Sequence, residues 1–277
     1  AGAEHSELYR AWRAAEGRAM AESDAVVTLS DGMRDEIVSR GVPAGRVHVV
    51  PNGVDVTRFA PRDADPQLRA QLGIPPETPV IGYIGSLVSY EGLPDLVRAC
   101  AILRDRGARF RLLIVGSGAD AGRIQAAASE ASLGELFVAP GRVSHAEVVR
   151  YHALIDLFVV PRTAARVCQL VTPLKPYEAM AMGRCVVASD LAAMRQVVSD
   201  GVTGRLARPE DPSSLAQVLG ELLDNPDERG RLGSASRAWV LKERTWEAIG
   251  ARYAEIIRGL QDRKSTRLNS SHANISY

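Results

Sequence analysis

Val80-Ile81-Gly82-Tyr83-Ile84 is an apolar run of strand length that stops at Gly85-Ser86. Behind it Leu93, Leu96, Val97, Ala99, Cys100 and Leu103 fall three and four residues apart, the spacing of one helix face. A second apolar run, 110–115, then stops at Gly116-Ser117-Gly118. Strand, amphipathic helix and strand in this order are the βαβ unit of a parallel sheet. The alternation continues in both directions, with strands expected at 25–29, 47–50, 80–84, 110–115, 136–139, 157–160, 185–188 and 204–207, and a later helix face at Leu215, Val218, Leu219 and Leu222. The runs are almost continuously apolar, which suits a sheet covered on both faces. The fold class is therefore α/β, a Rossmann-like doubly wound parallel sheet. Right-handed crossovers put all strand exits on one rim, and ligands bind there.

Residues 1–60 hold a helix, a strand, a helix and a strand before Pro51-Asn52-Gly53-Val54-Asp55, too little for a complete domain. They read as the remnant of an N-terminal domain with its linker, and the chain as a truncated fragment. Residues 61–240 form the main domain and 241–262 a last amphipathic helix, with Trp246, Ile249, Tyr253, Ile256, Ile257 and Leu260 on its face. Residues 263–277 are polar and aperiodic, with a non-native look.

The 277 residues carry 34 Lys+Arg against 33 Asp+Glu, a net charge of +1, so no strongly charged partner follows from the balance. The arginines are scattered among acids, which argues against a nucleic-acid surface. Three cysteines, Cys100, Cys168 and Cys185, are widely spaced and lack a Cys-x-x-Cys pair, as for reduced thiols in a cytosolic-type protein. Runs such as Leu112-Leu-Ile-Val115 are far below the ~18–20 residues of a membrane span.

Four loops after strands could carry chemistry. Gly85-Ser86 can let backbone amides approach a phosphate, or can be a plain tight turn. Gly116-Ser117-Gly118-Ala119-Asp120-Ala121 matches the dinucleotide pattern Gly-x-Gly-x-x-Gly/Ala. It follows the second strand of its unit, however, and the next strand runs into Pro140-Gly141-Arg142 without an acid. In Gly141-Arg142-Val143-Ser144-His145, Ser144 and Glu147 have the spacing of a capping box ahead of a helix over 146–154. The fourth loop runs from Pro161 through Arg166, Thr172, Pro173, Leu174 and Lys175 to a short helix that starts near Pro176 and ends at Gly183. Lys175 is one of three lysines and lies three residues before Glu178, so the two share a face. The carboxylate can accept from paired ribose hydroxyls while Lys175 and Arg166 neutralise a diphosphate. A helix-capping ion pair is the structural alternative.

Taken in order, Pro51-Asn-Gly-Val-Asp55 with Arg58-Phe59, Ile81-Gly-Tyr-Ile-Gly-Ser86, Leu113-Ile-Val-Gly-Ser-Gly118, Pro176-Tyr-Glu-Ala-Met-Ala-Met-Gly183, Val186-Val-Ala-Ser189 and Asp200-Gly-Val-Thr-Gly204 resemble the C-terminal half of family-4 (group 1) glycosyltransferases. The resemblance spans about 23–260. It implies the GT-B architecture, two Rossmann-like domains facing a cleft, with the C-terminal one binding a nucleotide-diphospho-sugar. It implies retaining transfer to a glycan or lipid-linked acceptor with no metal cofactor. It places Glu178 on the ribose, Arg142 and Val143 beside the nucleobase, and Gly85 and Ser86 near the diphosphate. Gly116, Ser117, Gly118, Thr172, Pro173 and Leu174 are expected to complete the nucleotide site. A bacterial, cytoplasmic enzyme of surface polysaccharide synthesis, in peripheral contact with the inner membrane face through the rest of its N-terminal domain, is the further implication.

The sequence also departs from the family. Its usual Gly-Arg and Lys-Gly pairs, which grip the phosphates, are here Gly85-Ser86 and Glu91-Gly92, and the first glutamate of its paired motif is Leu170. The chain is similar to a subgroup reading Gly-Ser-x-x-x-Tyr-Glu-Gly and Leu-Val-Thr-Pro-Leu-Lys-Pro. Lys175 and Arg166 are the expected replacements for the missing charge, with Glu178 the third residue assigned to catalysis. A non-catalytic nucleotide-sugar-binding protein and an NAD-dependent oxidoreductase are the competing readings.

Overall fold

The structure, a computed structural model, describes residues 6–273, with side chains through 262. The chain divides into two compact units, Ala1–Asn52 with Glu247–Tyr277, and Gly53–Trp246. The second unit closes its own ends: the Val54 amide donates to Arg244 O at 2.8 Å, and Gly53 lies so close under Trp246 that a Cβ there would come within 2.8 Å of the indole. The division therefore falls at these contacts, earlier than the sequence boundary at 60 and later than that at 240.

In the first unit, helix Glu7–Glu22 leads into β1 (Val26–Thr28), helix Asp31–Ser39 and β2 (Val47–Val49), and the two strands pair in parallel. Ser30 caps the second helix, its hydroxyl accepting from the Met33 amide at 3.2 Å. Ile37, Val42 and Val47 form a small core beneath. The last helix runs Trp246–Ala273, beyond the end expected at 262, because neither Pro nor Gly follows Gly259 to stop it. The polar tail assigned to 263–277 lies outside the described side chains, and 274–277 outside the described residues altogether.

The second unit is built on a parallel six-stranded sheet: β3 (Val80–Ile84), β4 (Arg111–Val115), β5 (Phe137–Gly141), β6 (Leu157–Val160), β7 (Cys185–Ser189) and β8 (Arg205–Ala207). The spatial order is β5-β4-β3-β6-β7-β8. The chain winds outward from β3 to β5, returns to the other side of β3 and winds outward again, so the β3–β6 boundary is the switch point. The Asp156 carboxylate accepts from the Val80 amide at 2.8 Å and pins the start of β3 beside β6.

Alternation explains the continuous apolar runs. Val80, Ile84, Leu113, Val115, Phe158, Val160, Val186 and Ala188 enter the core on one face. Ile81, Tyr83, Leu112, Ile114, Leu157, Val159, Cys185 and Val187 enter the core on the other. Each residue is thus removed from water on its own side. β5 differs: it is only partly buried and includes Pro140, which the sequence reading left outside the strand. As an edge strand it has one free side, where a missing N–H costs no ladder bond. Cys100, Cys168 and Cys185 are buried free thiols.

Candidate functional site

The exits of β3, β4 and β5 meet the first turn of helix Lys175–Ala181 around a cavity of about 610 Å³. Ile84, Gly85 and Ser86 line it from β3, Val115, Gly116 and Ser117 from β4, and Arg142, Val143 and His145 from the segment after β5. Leu174, Lys175 and Glu178 form the opposite wall, with Phe59 and Val148 at the sides. The cavity therefore sits at the carboxyl edge of the sheet near the switch point, where doubly wound folds bind ligands. A second cavity of about 440 Å³, lined by Arg69, Thr78, Asp156 and Arg229 among others, is less suited to an anion. Its arginines already donate to carbonyls, Arg69 to Pro75 and Thr78, Arg229 to Leu222 and Leu223.

The two glycine turns are shaped by close packing. A Cβ on Gly116 would overlap the Gly85 carbonyl, and one on Gly118 would overlap Leu87 O. The amides are used internally: Gly85 N donates to Val115 O at 3.0 Å, Leu87 N to Ser117 O at 3.0 Å and Gly116 N to Gly141 O at 2.9 Å. The N–H groups at Gly85 and Gly116 thus hold neighbouring strand exits together and are given to carbonyls of the protein. Positive charge at this end of the cavity comes from a side chain. A Cβ on Gly85 would overlap Lys175 Cε, so the glycine leaves room for the lysine stem.

Lys175 Nζ lies 5.5 Å from the Tyr83 ring centroid. It donates at 2.7 Å to Glu91, a carboxylate that is 1% exposed. Arg162, also buried, donates to the same Glu91 oxygen at 3.2 Å and to Val171 O at 2.9 Å. The ion pair of Lys175 is thus with Glu91, and the alternative of a Lys175–Glu178 helix cap is set aside. Burial pushes the Glu178 carboxyl above the usual carboxylate range, while the nearby His145, Arg58 and Lys175 pull it back. Arg58 packs over Phe59, 5.3 Å from the ring centroid, and donates to His145 at the cavity edge. Ser144 and Glu147 form the expected reciprocal bonds, Ser144 N to Glu147 Oε2 at 3.3 Å and Glu147 N to Ser144 Oγ at 3.3 Å. They close the turn before the helix, which starts at Val148, two residues later than expected.

Of the residues singled out in the sequence, Gly85, Ser86, Gly116, Ser117, Arg142, Val143, Leu174, Lys175 and Glu178 line this one cavity. Gly118, Arg166, Thr172 and Pro173 are not among its lining residues. Arg166 opens the short helix Arg166–Leu170 and is exposed, while Thr172 is buried. Sequence reasoning missed Glu91 and Arg162 as parts of the site and gave no role to Tyr83. Two opposite charges in loops that each follow a central strand were the available signal.

His152 was also missed. Its ring is fully buried, stacked 5.1 Å from Phe158 and edge-on to Phe59, with Nε2 3.9 Å from a Glu178 oxygen. Burial, and then the Arg184 charge, lower its pKa to about 3, so at neutral pH the ring is uncharged and the Glu178 contact is no ion pair. The folded-state value lies below the unfolded one, so unfolding takes up a proton and stability is lost as pH falls from ~6.5 toward 3. Urea titrations at pH 7.5 and 5 should show His152→Phe, which keeps the ring stack, losing about 2 kcal/mol less than the parent over that interval. Equal losses would contradict this.

The site is thus a cavity at the switch point of a doubly wound domain, with a cation and a carboxylate on one wall. The comparisons specify it further. The family model for glycosyl transferases group 1 matches residues 64–239, and that for glycosyltransferase family 4 matches residues 1–58. The chain belongs to the group 1 glycosyltransferase family. The GDP-mannose-dependent alpha-(1-6)-phosphatidylinositol monomannoside mannosyltransferase of Mycolicibacterium smegmatis is 32% identical over 244 residues, 87% of this chain and 64% of that protein. This chain thus spans less than two thirds of its relative's length. Among solved structures, sucrose-phosphate synthase from Thermosynechococcus elongatus matches with a TM-score of 0.77 and 27% identity, over 94% of this chain and 64% of the other. Anabaena Alr3699/HepE in complex with UDP has a TM-score of 0.80 at 21% identity, over 92% of this chain and 69% of the other, a likeness of fold. These neighbours bear out the GT-B expectation.

Proposed function

We propose that the chain carries the donor-binding half of a hexosyltransferase that moves a sugar from a nucleoside-diphospho-sugar to a glycan or lipid-linked acceptor with retention. The observation that carries this reading is the convergence of the Lys175 ammonium and the Glu178 carboxylate on one cavity at the sheet's carboxyl edge. Glu178 accepts from the ribose hydroxyls, Arg142 and Val143 flank the base, and the diphosphate lies between Ser86 and Lys175. As the bond from the anomeric carbon to the diphosphate oxygen breaks, the acceptor hydroxyl oxygen bonds to that carbon and its proton passes to the departing diphosphate, while the Lys175 ammonium stabilises the charge that grows on the leaving oxygen. No metal is assigned to this step. The GDP-mannose dependence named for the mycobacterial relative and the UDP of the Anabaena complex support a nucleoside diphosphate donor. A cytoplasmic site at the inner membrane face and a part in surface polysaccharide assembly belong to the same proposal.

A second reading is a nucleotide-sugar-binding protein without turnover, favoured by Ser86 and Leu170 at the positions where the family has Arg and Glu. Calorimetric titration of the chain with UDP, GDP, ADP and NAD tests the donor site. Binding of UDP or GDP in preference to NAD is expected, and a preference for NAD would overturn the assignment. Turnover by the full-length gene product separates the transferase from the non-catalytic reading.

A further inference from the structure

Two cations line the cavity, Arg142 from the segment after β5 and Lys175, whose charge is shared with a carboxylate behind it. Glu91 sits on the turn after β3, and Gly92, at φ 68°, follows it. A Cβ on Gly92 would overlap the Pro161 carbonyl, so the turn is pressed against the exit of β6. The Thr163 amide donates to Tyr90 O at 3.0 Å and joins the two segments. This brings Glu91 between Arg162 and Lys175, whose side chains are 6% and 18% exposed. Both cations sit on one oxygen, at 3.2 and 2.7 Å, and so lie within about 6 Å of each other.

Stability alone is a poor reason for such a cluster, because apolar residues of similar volume often serve as well as a buried ion pair. Its layout is directional. Arg162 is held inward by Val171 O, whereas Lys175 emerges past Gly85 into the cavity. Burial, and then the Glu91 charge, push the Tyr83 hydroxyl far above its ordinary range. It therefore stays protonated and donates to Ser86 O at 2.8 Å, fixing the loop across from the ammonium. We infer that Glu91 is a positioning residue, a buried carboxylate that fixes the Lys175 ammonium at the cavity wall where it meets the donor's diphosphate. The inference rests on the donor-site reading proposed above, and it assigns a role to an acid at a position where the resembled family carries a cation.

Two variants test it without altering the net charge of the cluster, so they report where the ammonium sits and not how many charges face the cavity. Glu91→Asp withdraws the carboxylate by one methylene. Glu91→Gln with Arg162→Met removes one charge of each sign and covers the case in which the shorter acid fails to fold. The chain has three lysines, so ¹³Cε-lysine labelling gives a sparse spectrum in which Lys175→Met identifies the Lys175 signal. Its ε-methylene resonance should be displaced by the Tyr83 ring and should move toward that of the exposed Lys242 in both variants. Calorimetric affinity for UDP and GDP should fall about tenfold in either variant and change less than about twofold when Lys175 is already Met, the signature of a residue acting through another. An unmoved lysine signal would overturn the inference, as would an equal loss of affinity in the Lys175→Met background. Unchanged affinity in Lys175→Met alone would instead refute the diphosphate reading, while the lysine spectrum would still decide whether Glu91 holds the ammonium.

Discussion

Lys175→Ala in the full-length enzyme is expected to lower turnover a hundredfold or more, with a smaller change in thermal stability. The expectation follows from charge accounting at one end of the cavity. The Gly85 and Gly116 amides are given to neighbouring carbonyls, and Ser86 and Glu91 stand where the resembled family has cations. A departing diphosphate then depends on the Lys175 ammonium. Loss of a single preorganised charge-stabilising group costs roughly 10²–10³ in turnover. Stability should suffer less because Arg162 remains beside Glu91 when the lysine is gone. Steady-state kinetics beside a thermal melt provide the check, and unaltered kinetics would dispose of this role.

The second large effect is expected at Glu178. Its carboxylate is partly buried at the first turn of its helix, and two hydroxyls of a ribose would each give it a charge-assisted hydrogen bond. Such bonds contribute ~1.5–3 kcal/mol each, and glutamine keeps one acceptor oxygen, so Glu178→Gln, which gives up one of the two, should weaken nucleoside diphosphate binding by roughly tenfold to a hundredfold. The chemical origin is testable with a 2′,3′-dideoxy nucleotide. The parent protein should bind it no better than the variant binds the ribonucleotide, and the variant should discriminate less between the two than the parent does. A variant that loses affinity equally for both would place Glu178 away from the sugar.

The sheet was legible because its central strands are buried on both sides: Val80–Ile84 and Leu157–Val160 have no charged residue to interrupt the pattern. β5 was harder to delimit, since an edge strand tolerates Pro140 and partial exposure. Within the site, special residue types at strand exits drew attention to Gly85, Ser86, Lys175 and Glu178, and the structure places all four on one cavity. The Glu91–Lys175 pair was not legible, because 84 positions separate its members and only the β3–β6 neighbourhood brings their loops together. Arg166 shows the opposite limit. Its loop was identified, but a short helix beginning at that residue leaves it outside the cavity lining, which a one-dimensional reading of charge could not foresee.

The central claim is where a nucleoside diphosphate binds. A crystal of the chain soaked with UDP or GDP measures this directly. The ribose is expected against Glu178 and the diphosphate between Ser86 and Lys175. Density for the ligand elsewhere, with the Glu178 carboxylate turned away from it, would contradict the account.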